Sequence, residues 1–384
     1  MMPKRCDFAI INRSFWPKSQ IIGEALLQLA EQSVENHRVC VITQSDVDLQ
    51  MELKKAGRGE GVIFKACKAR SNSATNLFWR MVDAVIFMLW TFWSLVLTRP
   101  KKVYVSTDPP VLVPFIVFIY AKLFRAQYVY HLQDIHPEAA NIIIPLNKWV
   151  YKFLLRIDSI VMRHASAIVT LTDTMRQVII ERTNTPVPIY LVDNPAVPGN
   201  QDNLTAKQPG LVFTGNAGRL QCIPLLLAAI KVYYQQGGNL PFVFAGGGVF
   251  SSDIAKLTAE FEKISYLGLI SPREAQALNA NYEWALLPID DEVTKYAFPS
   301  KSSAYLISGA SILSICSDDT AVAKWVNENG YGLNVAPDED ALVKAFFALE
   351  RREIEPVIFD NTHLKQKLSI TNFVDSLARI IFKK

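Results

Sequence analysis

Along the chain, short runs of consecutive apolar residues alternate with longer stretches whose apolar positions recur every three or four residues. The runs at 7–11, 38–43, 61–65, 102–106, 128–132, 167–171 and 189–193 are rich in Val, Ile, Tyr and Phe and predict strands. Between them, segments such as 21–32 and 146–165 carry helical spacing. Nearly unbroken apolar strands separated by helices imply a parallel sheet covered on both faces. The stretch 194–210, NPAVPGNQDNLTAKQPG, has no such period and reads as a linker. The rhythm restarts with strand-like runs at 211–215, 241–248, 263–268, 284–289, 311–316 and 332–337, and helices at 224–236 and 339–352. The pattern therefore predicts two Rossmann-like α/β domains, 1–195 and 208–369, with a terminal helix, 370–384, expected to pack back on the first. If the two doubly wound sheets face each other, the carboxyl ends of their strands border one cleft, where open α/β sheets take ligands.

Composition narrows the classes. A chain of 384 residues with half its residues hydrophobic is long enough for two buried sheets and is not disordered. Forty basic against 36 acidic residues give a net charge of +4, too small an excess to suggest a nucleic-acid partner. The five scattered cysteines form no CxxC pair and fit a reducing compartment. The amino terminus shows no signal-peptide pattern, so a cytoplasmic location is expected. One segment adds to this picture. Residues 84–98, AVIFMLWTFWSLVLT, are uncharged and mostly apolar, and RPKK follows. Fifteen helical residues span about 22 Å, short of the hydrocarbon core. The segment is expected to lie in the plane of a membrane surface, with Trp90 and Trp93 near the headgroups and Arg99, Lys101 and Lys102 on anionic lipid.

Four motifs could carry chemistry. In LVFTGNAGRLQC, 211–222, Gly215 and Gly218 let backbone approach a ligand, Asn216 lies between them, and Arg219 stands at the start of a helix suited to a diphosphate. In FAGGG, 244–248, Gly246 and Gly247 leave room for a nucleotide. In YAFPSKSSAYL, 296–306, Pro299 and Ser300 open a helix, with Ser300 a candidate cap. Lys301 and Ser302 fall in its first turn, and a lysine there opposes the dipole, as an anion site would require. In YVYHLQDIHPEAA, 128–140, His131, Gln133, Asp134, His136 and Glu138 fall at a strand end, where an acid/base or sugar-hydroxyl site is more plausible than a metal site. The loops STDPP, 106–110, and FWPKSQIIG, 15–23, with Asp108 and Gly23, complete the set.

In this order the motifs resemble bacterial GT-B glycosyltransferases of family 4. The subgroup is that of O-antigen and capsule assembly, which includes N-acetyl-L-fucosamine transferases. The resemblance covers nearly the whole chain. It implies transfer of a sugar, with retention and no required metal or other cofactor, from a nucleotide diphosphate donor such as a UDP-sugar. The implied acceptor is a polyprenyl-diphosphate-linked glycan at the inner face of the cytoplasmic membrane. By position, Gly215, Asn216, Gly218 and Arg219 would hold the diphosphate, Lys301 would add a second positive charge, and His131 and Asp134 would lie near sugar and acceptor. The chain departs from the family where two glutamates commonly flank the PSK-like segment. Tyr296 and Ala304 stand there, which leaves ribose binding to Ser302, Ser303, Asp318, Asp319 or backbone. Gln221 and Cys222 occupy the place of a usual lysine. A non-hydrolysing UDP-sugar 2-epimerase and a catalytically silent scaffold subunit share this architecture as alternatives.

Overall fold

The computed structural model describes residues 5–71, 77–197 and 207–383. It divides into two compact units, Met1–Pro195 with Ile370–Lys384, and Ala196–Ser369. Most of the expected linker, 198–206, lies outside the described residues, as do residues 1–4 of the amino terminus.

In chain order the first unit contains β1 (Phe8–Ile11), α1 (Ile22–Val34), β2 (Val39–Ser45), α2 (Leu49–Ala56), β3 (Ile63–Lys68), α3 (Leu77–Thr98) and β4 (Lys102–Ser106). It continues with α4 (Leu112–Phe124), β5 (Gln127–His131), α5 (Glu138–Ile143), α6 (Lys148–His164), β6 (Ala167–Thr170), α7 (Asp173–Thr183) and β7 (Ile189–Leu191). The seven strands pair in parallel in the order β3-β2-β1-β4-β5-β6-β7. The second unit contains β8 (Gln208–Thr214), α8 (Ile223–Gln235), β9 (Phe242–Ala245), α9 (Ser251–Glu260), β10 (Ile264–Tyr266), α10 (Pro272–Asn281) and β11 (Tyr282–Pro288). After these come α11 (Lys301–Ser308), β12 (Ser311–Ile315), α12 (Ala321–Glu328), β13 (Gly332–Val335), α13 (Glu339–Glu350) and α14 (Thr362–Lys367). Its strands are also parallel, in the order β10-β9-β8-β11-β12-β13. The last helix, α15 (Ile370–Phe382), belongs to the first unit.

Strand sequences such as FAII in β1 are buried at every position, which is why they read as continuous apolar runs. Helix starts are set by local chemistry. Asp48 caps α2 through the Met51 amide, and Ser271 and Glu274 form a capping box at α10. One core of the first unit lies between the sheet and α1 with α15, where Phe8, Ile10 and Val129 meet Leu26, Phe373 and Leu377. In the second unit Phe213, Phe242 and Phe244 pack under α8 and α13.

The 84–98 segment is corrected. Its helix begins at Leu77 and has 22 residues, about 33 Å of helix. Among the described residues, Phe78–Thr98 is the one stretch long and apolar enough to cross a membrane, and about a third of it is buried in the fold. The pattern had stopped at Asp83, yet Asp83 lies inside the helix and is buried. It accepts from Arg13 at 3.1 Å, from the Gln44 amide at 2.8 Å and from the Ser71 hydroxyl at 2.7 Å. Trp90 is also not free for a headgroup, because it is half-buried and its indole donates to the Lys65 carbonyl at 3.1 Å. The Lys102 ammonium donates to the Ile381 carbonyl at 2.9 Å and lies over the Phe382 ring, so it anchors α15 rather than lipid.

Candidate functional site

In the second unit the chain runs outward in opposite directions from the central pair β8 and β11, which makes their carboxyl ends the topological switch point. The loops following these two strands carry most of the expected nucleotide-site residues. After β8, the loop 215–222 is zipped to the loop after β9. The Gly215 amide donates to the Ala245 carbonyl at 2.8 Å, and the Ala217 amide to the Gly247 carbonyl at 2.6 Å. A Cβ on Gly246 would overlap the Gly215 carbonyl, and one on Gly248 would overlap Ala217. Gly246 is therefore corrected. Its glycine serves the closure of one loop on the other, and its own amide is spent on the Gly268 carbonyl at 2.7 Å. Gly247 packs beside Leu269. Gly218 is enclosed by the Asn216 and Gln221 side chains, and its amide donates to Gln221 Oε1 at 2.8 Å, so Gln221 shapes the loop from within.

The outer side of this loop is open. Gly215, Asn216 and Arg219 are exposed, and no carboxylate pairs with Arg219 among the described residues. Helix α8 starts from Cys222 in the left-handed region, with Pro224 in its first turn, no side-chain cap and no acid. Its first amides have no intrahelical acceptors, and the dipole presents positive charge there.

From the neighbouring β11, Lys301 opens α11. Its ammonium lies 3.8 Å from the centre of the Phe213 ring and 3.5 Å from the Asn216 carbonyl, against Gly215. Among the described residues no carboxylate balances it, and burial pushes its pKa down to about 7. Ser300 occupies the cap position but makes no side-chain cap bond, so the expected capping role is corrected and this helix start is also open. The Ser302 amide donates to the Pro299 carbonyl at 3.0 Å. The Ser302 and Ser303 side chains are buried beneath the helix, which leaves them poorly placed for a ribose. Asp318 and Asp319 are exposed after β12, and Asp318 accepts from Asn334 at 2.8 Å. Two brace residues had escaped sequence reasoning. The Asp290 amide joins the loops by donating to the Leu220 carbonyl at 2.9 Å, and Asp291 accepts from the Ser317 amide at 2.8 Å. Nothing in their spacing announces this.

In the first unit the corresponding switch point lies between β1 and β4. There Ser106 bonds Asn12, and the Ser14 amide donates to Asp108 at 2.8 Å, so Asp108 pins the FWP loop. Gly23 is corrected in the same sense as Gly246. A Cβ there would lie 2.7 Å from Phe15 and Trp16 backbone, so the glycine admits that loop onto α1. His131 is corrected as well. It is fully buried, bonded at 2.6 Å to the Tyr104 hydroxyl and set against Phe373 of α15, and burial lowers its pKa to about 4. It is a neutral core residue. Asp134, past the end of β5, is half-buried, and burial raises its carboxyl to about 6. Glu138 is committed to Arg182, which reaches both its oxygens at 2.8 Å, the His136 carbonyl at 2.9 Å, and Asp158. Tyr130 completes the buried group with 2.8 Å to Asp158.

Two uncapped helix starts, an unpaired lysine and an exposed arginine at one sheet switch point form a cradle for an anion of high charge density. Residues 22–195 match the glycosyl transferase 4-like domain. The chain is a glycosyltransferase with the GT-B fold. It is 23% identical over 278 residues to a Pseudomonas aeruginosa protein named "Probable glycosyltransferase WbjE", covering 67% of this chain and 68% of that protein. Its fold is that of the Anabaena protein Alr3699/HepE, solved with UDP (TM-score 0.64, 12% identity, 97% of this chain and 98% of that one). It is equally like WaaG, a glycosyltransferase of lipopolysaccharide biosynthesis (TM-score 0.62, 12% identity, 98% and 100%).

Proposed function

We propose that this glycosyltransferase takes a sugar, N-acetylated or deoxy, from a nucleotide diphosphate donor such as a UDP-sugar. It passes the sugar, with retention, to a polyprenyl-diphosphate-linked glycan in surface polysaccharide assembly. The observation that carries the reading is Lys301, an unbalanced and half-buried cation packed on Phe213 beside the open Gly215 loop. When the bond from the sugar to the diphosphate breaks, its electron pair leaves with the diphosphate, and about two negative charges need stabilising. Lys301, Arg219 and the starts of α8 and α11 are positioned to supply that stabilisation without a metal. Asp134 stands as the first unit's candidate for the acceptor hydroxyl. The names of the WbjE and WaaG proteins support the polysaccharide setting, and the UDP of the Anabaena protein supports the donor.

A lipid-linked acceptor places the enzyme on the inner membrane face. The outer side of α3 supports this, with Met81, Val85, Leu89 (59% exposed) and Trp93 (60% exposed) four residues apart in one stripe. Radiolabelled UDP-N-acetyl sugars incubated with protein and membrane lipid extract test the function. Label in the organic phase with release of UDP is expected. A free epimerised sugar nucleotide, or no turnover with any nucleotide sugar, would overturn the reading.

A further inference from the structure

Helices α3, α4 and α6 pack side by side. Right-handed crossovers from β3 to β4, β4 to β5 and β5 to β6 put them on the sheet face opposite α1 and α15. The three helices contain only two acidic residues, Asp83 and Asp158, and both are buried. All exposed charge on these three helices is therefore basic. On α6 the outer side carries Trp149 (83% exposed), Val150 and Phe153 (63% exposed), alongside exposed Lys148, Lys152 and Arg156. Exposed Ile144 lies four residues before the start of that helix.

Resting on the lipid-linked acceptor reading, we propose that the start of α6 is a second membrane-docking element, separate from the α3 stripe. Trp149, Val150 and Phe153 enter the interface of a bilayer containing anionic lipid, while Lys148, Lys152 and Arg156 lie on its headgroups. Helices of this sheet begin at its carboxyl edge, so this contact sits at the edge that presents Asp134. The tie is direct, because Asp158 of α6 and Glu138, which opens α5 just after the β5 loop, share Arg182. A bilayer fits this face better than a second copy of the chain, because a two-fold contact would oppose basic row to basic row. Val150 and Ile144 offer nothing to a nucleic acid, whose bases would stack on aromatics alone.

Flotation with vesicles of phosphatidylcholine, with and without phosphatidylglycerol, tests the proposal. The wild type should float with the anionic vesicles. Lys148→Gln/Lys152→Gln/Arg156→Gln should lower that partitioning about tenfold to a hundredfold, and Trp149→Ser/Phe153→Ser should weaken it with circular dichroism unchanged. Leu89→Ser/Trp93→Ser in α3 is the control. If the α3 variant loses binding while both α6 variants float like the wild type, the α6 proposal falls and the membrane reading stands. A wild type that binds no vesicle overturns both. Altered oligomeric mass in the α6 variants with unchanged flotation assigns the face to a second copy, and binding of a single-stranded oligonucleotide in place of vesicles assigns it to nucleic acid. Either result also overturns the proposal.

Discussion

Lys301 holds its charge at a cost, since burial lowers its pKa to about 7 and no carboxylate among the described residues offsets this. Under the proposed function, that cost is offset by the donor's diphosphate when it binds. Lys301→Ala and Arg219→Ala should each lower kcat by ~10²–10³, as for one preorganised transition-state contact. The two act on one leaving group, so the double variant should lose less than the product of the singles. Multiplicative losses in steady-state kinetics would separate their roles. The pH dependence has a definite sign. A bound diphosphate favours the protonated lysine and raises its pKa, whereas in the free enzyme the ammonium is lost above about pH 7. UDP affinity should therefore be flat below pH 7 and fall up to about tenfold per unit above it, and Lys301→Met should remove that dependence in calorimetric titrations.

Among elements, the loop after β5 and helix α6 are held by one buried cation. Arg182→Met would strand Asp158 and Glu138 without their counter-charge and should destabilise the first unit by about 3–5 kcal/mol in denaturant unfolding. None of this was legible in the sequence, because Arg182, Asp158 and Glu138 are brought together from three different helices. The strands were legible, since a sheet buried on both faces leaves an unbroken apolar run in each of its central members. The start of α3 was not. Asp83 reads as the boundary before an apolar run, and the groups that satisfy it, Arg13, Gln44 and Ser71, lie far upstream or across a turn.

For the molecule as a whole, the geometry around the proposed anion site was legible where strand, glycine loop and helix follow one another, as at 211–222, and where a lysine stands at a helix start. It was misread where a residue type reports proximity but not to what. Gly23 and Gly246 do mark close approach, yet of backbone to backbone. His131 occupies a strand end, but its face of the sheet follows from which helices cover it, and α15 comes more than two hundred residues later. The cationic cradle predicts that excess EDTA leaves turnover nearly unchanged, and loss of activity restored by manganese would contradict it. The most direct test of the account is calorimetric titration of UDP into the wild type and Lys301→Ala at pH 6.5, with folding checked by thermal melting. The account predicts binding to the wild type and a loss of about tenfold or more in the variant, the scale of a charge-assisted hydrogen bond. Equal affinity for UDP in both proteins, with full transfer activity in Lys301→Ala, would contradict it.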